Sequence, residues 1–342
     1  MTTQLPLTTT ASAPAAAIPA PLVSPPAPAV AWFRTLSVPL AALLALILHM
    51  AVAGSEPVAE TRTYSFFLGA LFVCGVLCGG LQFPFARLRP WLREKAPIFS
   101  AAILVLTVIE VITTGWRLLP LPYFPSPARV LWTIIDNREI LWSSTWHSLA
   151  LLLGGYTLGV LAGLVSGVCI GWFQPARYWG MPLLKVIGPI PATAWIPLAL
   201  VLSPSSVVSA IALIALAVWF PVTMLTYSGI SNTRASYLDV ARTLGASPSY
   251  LIFRVAIPAA LPNIFLGLFM GLGTAFLTLV VAETVGVKSG LGWYLSWSRE
   301  WAEYGKVYSA LVIMAIFFSS IMTLLFRVRD RVLVWQKGTI KW

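Results

Sequence analysis

Two carboxylates stand within apolar stretches of the sequence and are the first candidates for chemistry. Glu110 lies inside the apolar segment 98–116, and Glu283 lies at the end of segment 261–282. Ionisable groups in such apolar segments are costly to bury and commonly have a partner or a function. We expect Glu110 either to pair with a neighbouring helix or to be neutral. Glu283 is either a functional group or an interfacial one.

The remaining polar residues do not form the clusters that catalysis requires. The 11 acidic residues are scattered, and His49 and His147 stand far apart, so we expect neither a metal site nor metal or diphosphate chemistry. The cysteines, Cys74, Cys78 and Cys169, lie in apolar segments and predict no disulfide. The sequence also lacks a Gly-x-x-x-x-Gly-Lys-Ser/Thr run, the loop that cradles nucleotide phosphates. Any use of ATP would therefore depend on a partner chain.

The composition places most of the chain in lipid. Of the 342 residues, 58% are apolar and 10% are charged, and the mean hydropathy is +0.86. Soluble domains carry roughly 25% charged residues, and apolar runs of about 20 residues match the thickness of a bilayer. The sequence predicts an all-α polytopic membrane protein with about eight transmembrane helices. The predicted spans are 37–54, 65–83, 98–116, 145–173, 180–202, 206–229, 261–282 and 307–326.

The basic residues orient these spans. With both termini placed in the cytoplasm, the inner segments hold 14 Lys and Arg and the outer segments hold 7, with Lys185 near the inner end of a span. Cytoplasmic segments of membrane proteins carry the excess of Lys and Arg, so both termini are predicted to be cytoplasmic. The same distribution explains the formal charge of +11 without nucleic acid.

Two outer segments are long enough to hold structure. The segment before the fourth predicted span contains Ser126 followed by Pro127, which is typical of a helix that begins with a serine N-cap. The last outer segment contains Trp293, Trp297 and Trp301. We interpret these tryptophans as interfacial anchors rather than ligand contacts.

The inner loop at 230–260 has an explicit local pattern. Ser236 followed by Asp239 resembles a capping box. This predicts a short helix that ends at Gly245, because glycine most easily closes a helix in the left-handed conformation. Ser247 before a proline predicts the start of a second helix. We therefore expect a helix, a glycine turn and a second helix on the cytoplasmic side of the membrane.

The same loop resembles the signature of binding-protein-dependent ABC permeases. That signature is an acidic residue, two small residues, any three, glycine, any nine, then Ile-x-Leu-Pro. Here it reads Asp239-Val240-Ala241, Gly245 and Val255-Ala256-Ile257-Pro258. Asp stands for the usual Glu, and Val240 stands for an alanine. From about 118 to 338 the chain also resembles the nitrate, sulfonate and taurine branch, in LPYFPSPARVLW, IGPIPATAWIPLALVL, VVAETVGVKSGLGWYL and RVLVWQKG.

The resemblance implies the permease subunit of an ATP-driven importer in the bacterial inner membrane. In such importers two permeases form the path, here expected as a homodimer, and two cytoplasmic ATPases that bind ATP and Mg dock on the loops. A periplasmic binding protein delivers the substrate. The branch implies a small anion such as a sulfonate, taurine or nitrate, with a cationic or neutral nitrogen compound as the alternative. The implied coupling residues are Leu238, Asp239, Val240, Ala241, Leu244, Gly245 and Pro258.

The resemblance also divides the chain. Residues 1–36 are predicted to be a disordered Pro/Ala-rich tail, and 37–97 to be two extra transmembrane helices with a basic cytoplasmic loop. Residues 98–330 would form the six-helix type I permease domain that carries the coupling loop, and 331–342 a cytoplasmic tail. We expect the two extra helices to pack on the outside of the permease bundle.

Glycine recurs along one face of the predicted fourth span. A glycine ridge lets another helix pack closely, and we favour this interpretation over a sliding surface for alternating access. The ridge consists of Gly155, Gly159, Gly163, Gly167 and Gly171.

Prolines interrupt the predicted fifth span. Pro189 and Pro191, followed by Trp195, indicate either unwound backbone that lines a path at mid-membrane depth or a kink at a helix end. Together with Glu283, these three residues are the candidates for the translocation path.

Two other classes of protein fit parts of the sequence. A secondary transporter or channel that works alone would show an internal repeat and charged pairs near mid-membrane, whereas this sequence has no clear repeat and few acidic residues. A membrane-embedded enzyme would need clustered His or Asp. The permease is therefore the leading hypothesis, and the self-sufficient transporter or channel for a small solute is the alternative.

Overall fold

A computed structural model describes residues 28–52, 57–82, 84–85, 88–119 and 122–336, which fold into helices with no β-strand among them. The first helices are α1 (Pro28–Val52), α2 (Val58–Leu81) and α3 (Leu88–Glu110), which continues into a π-helical turn, Val111–Gly115. Then follow α4 (Pro127–Asp136), α5 (Arg138–Trp172), α6 (Gln174–Ile187), α7 (Ile196–Leu202) and α8 (Ser206–Ser231). The last are α9 (Ala235–Thr243), α10 (Pro248–Tyr250), α11 (Ile257–Val285), α12 (Leu291–Glu300) and α13 (Tyr304–Val332).

Within the described ranges, six helices are long and apolar enough to cross a membrane. They are α2, α3 with its π-helical turn, α5, α8, α10 continued by α11, and α13. Leu36–Val52 of α1 is a shorter apolar helix, and α6 with α7 forms an apolar pair bent by 84°. The all-helical polytopic fold is confirmed, while the number eight stays a prediction.

The chain divides into two compact units. One lies within Met1–Leu46 and Leu68–Val105, and the other within Ile47–Phe67 and Leu106–Trp342. The second unit contains the predicted coupling loop and the glycine-bearing α5. The tail prediction is wrong for residues 28–36, because α1 begins at Pro28. The rest of the predicted N-terminal tail, and residues 337–342, lie outside the described residues.

The glycines of α5 let it approach α8 closely. An added Cβ on Gly159 or Gly163 would lie 2.7 Å from the Cβ of Val218 or Val222, respectively. Two carbon atoms that are not bonded cannot lie this close, so one of the two helices would have to move. The α8 residues that face the five glycines also recur at every fourth position: Ile214, Val218, Val222, Thr226 and Ile230. The ridge is a tight packing surface between two helices.

The same two valines of α8 also pack against α11. Val218 and Val222 are fully buried, and both contact the position that a Cβ on Gly271 would occupy. The Tyr156 hydroxyl of α5 donates a hydrogen bond to the Leu268 carbonyl of α11 at 3.0 Å. Helix α8 is therefore enclosed by α5 and α11, and the three helices form the centre of the second unit.

The segment between α6 and α7 contains the predicted prolines. Proline has no N–H to donate, so regular helical bonding cannot continue through Pro189 and Pro191. The chain makes short turns instead, with the Ile190 N–H donating to the Ile187 carbonyl at 3.1 Å. A 3-10 turn, Ala192–Trp195, then leads into α7. The fifth predicted span is thus a broken helix.

Helix α4 begins as its sequence predicts. The Ser126 hydroxyl accepts a hydrogen bond from the Arg129 N–H at 3.2 Å, and Pro127 occupies the first turn, where no N–H is needed. The serine–proline pair therefore fixes the start of this helix.

The α5–α8 packing gives a test of stability. We expect Gly163→Ala to destabilise the protein by roughly 1–3 kcal/mol, because its Cβ would force the helices apart. Thermal unfolding of the detergent-solubilised chain, followed by gel filtration after heating, measures this loss.

Gly154→Ala is the matched control on the same helix. Its Cβ would lie 3.6 Å from the Ile211 side chain, an ordinary contact, so the melting temperature should stay the same or rise. Equal effects of the two substitutions would contradict the packing explanation.

Candidate functional site

The predicted coupling loop is built around α9. This helix begins at Ala235 with Arg234 as its N-cap residue and no side-chain cap. The predicted capping box is therefore wrong: Ser236 lies inside the first turn. Asp239 instead forms an ion pair with Arg242 one turn later, with 3.1 Å between Oδ1 and a guanidinium nitrogen. The acidic residue of the motif is thus held on the surface of α9.

Gly245 closes α9 with a positive φ of 81°. Its N–H donates to the Arg242 carbonyl at 2.9 Å, and the Ala246 N–H donates to the Ala241 carbonyl at 3.0 Å. This pair of bonds is the Schellman arrangement, which satisfies carbonyls at a helix end. Apart from its chain neighbours, no described residue has an atom within 4 Å of the position that a Cβ on Gly245 would occupy. The glycine is therefore required by backbone conformation and not by lack of space.

The second helix of the loop is not separate from the next span, in contrast to the sequence prediction. Ser247 caps its start by accepting from the Tyr250 N–H at 3.3 Å, as predicted. The chain then continues through a π-helical turn, Leu251–Ala256, into α11. The wide turn directly precedes Pro258, which cannot donate the regular helical hydrogen bond. The result is one helical segment, Pro248–Val285, of 38 residues.

The surface of α9 is exposed and partly apolar. Leu244 is 83% exposed and Val240 is 61% exposed, and no residue of α9 is buried. Leu238 and Ala241 are half-buried, and Pro258 lies in the first turn of α11. A short helix with outward apolar side chains, held by a rigid turn to a long helix, can serve as a docking element for another protein.

A cavity of about 600 Å³ lies between the broken segment, α8 and α11. Pro191 lines it, whereas Pro189 stands in the break and Trp195 packs against the central core. The lining is Ile187, Gly188, Ile190, Pro191, Ala192, Thr193, Leu216, Ala217, Phe220, Pro221, Met270, Gly273, Thr274, Leu277 and Thr278.

The cavity lining carries hydroxyl groups and no charged side chain. Thr193, Thr274 and Thr278 supply the hydroxyls, and Thr274 donates to the Ala217 carbonyl at 3.0 Å. Such a lining offers weak polar contacts within an otherwise apolar surface. Sequence reasoning missed these threonines. The spacing of Thr274 and Thr278, one turn apart in an apolar span, was the available signal.

Glu283 is not among the residues that line this cavity. It belongs to the last turns of α11, and its side chain points to the first residues of α12. Its side chain is buried. Ser148 of α5 donates to its Oε1 at 2.6 Å, and the Gly292 N–H donates to its Oε2 at 2.7 Å. Ser148 also accepts from the Leu291 N–H at 2.9 Å. Glu283 therefore joins α11, α5 and α12 in one hydrogen-bonded junction, and nothing in the sequence near Ser148 predicted this contact.

Within the second unit, helix α12 packs against its neighbours through apolar side chains. Tyr294 is fully buried and packs with Leu141, Leu291 and Met314. Burial raises the pKa of Tyr294 to about 12, so its hydroxyl stays protonated at physiological pH. The predicted anchors Trp297 and Trp301 are exposed on the same helix.

Glu110, the other buried carboxylate, has a partner. The Nδ1 of His49 lies 3.1 Å from its Oε1, and the Nε2 of His49 lies 3.3 Å from the Thr61 carbonyl. Tyr64 meets the His49 ring edge-on at 4.9 Å. The sequence suggested that His49 stands alone, but in the structure it contacts Glu110. The pairing with a neighbouring helix that was expected of Glu110 is therefore present. The described residues contain no group of three or more His, Cys, Asp or Glu that could hold a metal.

Comparison with known proteins assigns this architecture to a family. The model of the family described as "Binding-protein-dependent transport system inner membrane component" matches residues 155–333, more than half of the chain. The match includes the glycine-bearing part of α5, the cavity and the coupling loop.

Relatives of the chain are permeases of ABC transporters and related systems. A probable ABC transporter permease protein of Haemophilus influenzae is 32% identical over 50% of this chain and 69% of its own length. The formylaminopyrimidine transport permease protein ThiX of Halalkalibacterium halodurans is 29% identical over 43% of this chain and 60% of its own. The taurine transport system permease protein TauC of Escherichia coli is 28% identical over 51% of this chain and 68% of its own length.

These matches confirm the resemblance to ABC permeases that the loop motif indicates. They agree with the multi-pass helical architecture that carries the loop and the cavity. The chain belongs to the family of binding-protein-dependent transport system inner membrane components.

Proposed function

We propose that this chain is the transmembrane permease subunit of an ATP-binding cassette importer. It forms part of the substrate path and couples ATP hydrolysis by a partner protein to uptake of a small solute. The observation that carries this proposal is the exposed α9, which a glycine turn fastens to the 38-residue segment Pro248–Val285 bordering the cavity. A force applied to α9 would therefore act on a wall of the cavity.

The docking partner is a cytoplasmic ABC ATPase that binds ATP and Mg. The apolar side chains of Leu244 and Val240, both exposed, would fill a groove on its surface. Because the turn at Gly245 is held by two backbone hydrogen bonds, α9 would move together with the start of the long helix. Closure of the ATPases around ATP would then tilt α11.

The remaining partners follow from the same proposal. A second copy of this chain would complete the path, and a periplasmic binding protein would deliver the substrate. The chain would lie in the bacterial inner membrane with both termini in the cytoplasm. This orientation places α9 on the side where ATP is available.

The proposed cargo is a small anion such as a sulfonate, taurine or nitrate. The branch resemblance and the taurine permease TauC among the relatives favour an anion. The formylaminopyrimidine permease ThiX, at similar identity, favours a neutral nitrogen compound, and so does the absence of charge in the cavity lining. Both cargo classes are small enough for a cavity of about 600 Å³.

A substitution at Gly245 tests the docking of the ATPase. We expect Gly245→Val to weaken copurification of the ATPase about tenfold. A residue with a Cβ pays roughly 1–2 kcal/mol to adopt the left-handed conformation, and this cost corresponds to about a tenfold loss of affinity. Pull-down of the tagged chain from native membranes, with the ATPase quantified by immunoblot, measures the change.

Gly245→Asn is the matched control. Asparagine tolerates the left-handed conformation, and the open space around Gly245 accepts its side chain. ATPase recovery should therefore stay near that of the unchanged chain. Normal recovery with Gly245→Val, in a chain that still inserts in the membrane, would remove the support for a rigid coupling turn.

Reconstitution separates the permease from a transporter that works alone. Proteoliposomes with this chain only should show no uptake of labelled solute. Uptake should require the copurified ATPase, internal ATP and the binding protein. Uptake by the chain alone would establish the self-sufficient secondary transporter or channel instead.

The same vesicles distinguish the two cargo classes. For an importer that recognises an anionic group we expect excess unlabelled nitrate, or taurine through its sulfonate group, to compete with labelled solute, while an uncharged aminopyrimidine has no effect. The opposite pattern of competition would assign the neutral nitrogen compound as cargo.

A further inference from the structure

Three helices of the second unit meet at the carboxylate of Glu283. Its Oε1 accepts from the Ser148 hydroxyl of α5 at 2.6 Å, and its Oε2 accepts from the Gly292 N–H of α12 at 2.7 Å. Both oxygens are thus engaged inside the protein, and the side chain is buried. Each oxygen accepts a hydrogen bond from another helix, and this use of a buried carboxylate is typical of a structural link.

Helix dipoles explain why the carboxylate turns toward α12. Glu283 lies near the C-terminal end of α11, where the dipole disfavours a negative charge, and at the N-terminus of α12, where it favours one. The first N–H groups of a helix lack partners within that helix. Glu283 and Ser148 supply these partners to Gly292 and Leu291.

Two glycines make room for the link. Gly290 has a φ of 114°, which disfavours any residue with a side chain. A Cβ on Gly290 would collide with the Glu283 carboxylate, and a Cβ on Gly292 would collide with the Val280 carbonyl and crowd Glu283 at 3.0 Å. The backbone before α12 is therefore shaped around this side chain.

The link stands at the far end of the helix that starts in the coupling loop. The segment Pro248–Val285 has 38 residues, which corresponds to about 57 Å at 1.5 Å per residue. This exceeds the bilayer core of about 30 Å. One continuous helix thus connects the turn beside α9 with the junction at α12.

We infer that Glu283 is a positioning residue that fastens α12 to α11, so that movement of the coupling loop reaches the outer surface of the protein. This inference rests on the proposed function. The outer surface is the exposed end of α12, with Trp301 68% exposed. A periplasmic binding protein would contact this end, and the link makes its docking and the state of the ATPase depend on each other.

Fluorescent labels on both sides of the membrane test the inference. Cys74, Cys78 and Cys169 are replaced by serine, and one new cysteine is labelled at a time, at Asn232→Cys beside α9 or at Trp301→Cys on α12. The full chain with its copurified ATPase is placed in nanodiscs. ATP with vanadate is then added, and the emission shift of each label is recorded.

In the unchanged junction both labels should respond to nucleotide. With Glu283→Ala, the inner label should respond as before, while the outer response is lost. Glu283→Gln should retain most of the outer response, because its amide oxygen can still accept from Gly292. Glu300→Ala, an exposed carboxylate on the same helix, should change neither label.

The two labels separate the possible failures. A silent inner label in the unchanged complex overturns the proposed function and the inference with it. An inner response together with a full outer response in Glu283→Ala overturns the inference alone. A merely structural role would lower ATPase recovery and both responses together. If Glu283→Ala does not assemble, Ser148→Ala decides, since it removes the bonds of Ser148 to Glu283 and Leu291, leaves the Gly292 bond, and should weaken only the outer response.

Discussion

The close approach of α5 to α8 is the contact on which the rest of the second unit depends. Lipid tails offer helices no hydrophobic reason to associate, so helices in a membrane rely on dense packing and hydrogen bonds. The α5 glycines allow the backbone to lie against branched side chains of α8, and Val218 and Val222 are left with no exposed surface. With α8 fixed in this way, α11 has a firm surface to pack on.

The second unit contains a part made of unbroken helices and a part in which the helix is interrupted. Helices α5, α8 and α11 run without a break, although α8 contains Pro221 and α11 contains Pro262, whereas the chain is interrupted between α6 and α7, where Pro191 lies beside a cavity. Irregular backbone at membrane depth is tolerated where it lines such a space. The same helix, α11, borders the cavity and continues from the loop. A change in the tilt of α11 would therefore alter the shape of the cavity.

Features set by neighbouring residues could be predicted from the sequence. Ser126 and Ser247 cap their helices and Gly245 takes positive φ, because each depends on residues within one turn. Ser236 fails as a cap because the N-cap position falls two residues earlier, at Arg234, and Asp239 pairs with Arg242. The partners of Glu283 and Glu110 lie 135 and 61 positions away in sequence. Such pairings depend on how distant helices meet, which local patterns do not encode.

The pairing of His49 with Glu110 makes the N-terminal helices hard to detach from the rest of the chain. Both residues lie outside the family-matched portion, 155–333. A gene shortened to begin after residue 97 would keep the carboxylate and lose the imidazole, leaving a buried acid without its partner. In evolutionary terms, loss of the leading helices would favour a replacement of Glu110 by an uncharged residue, since a buried acid without its partner is costly.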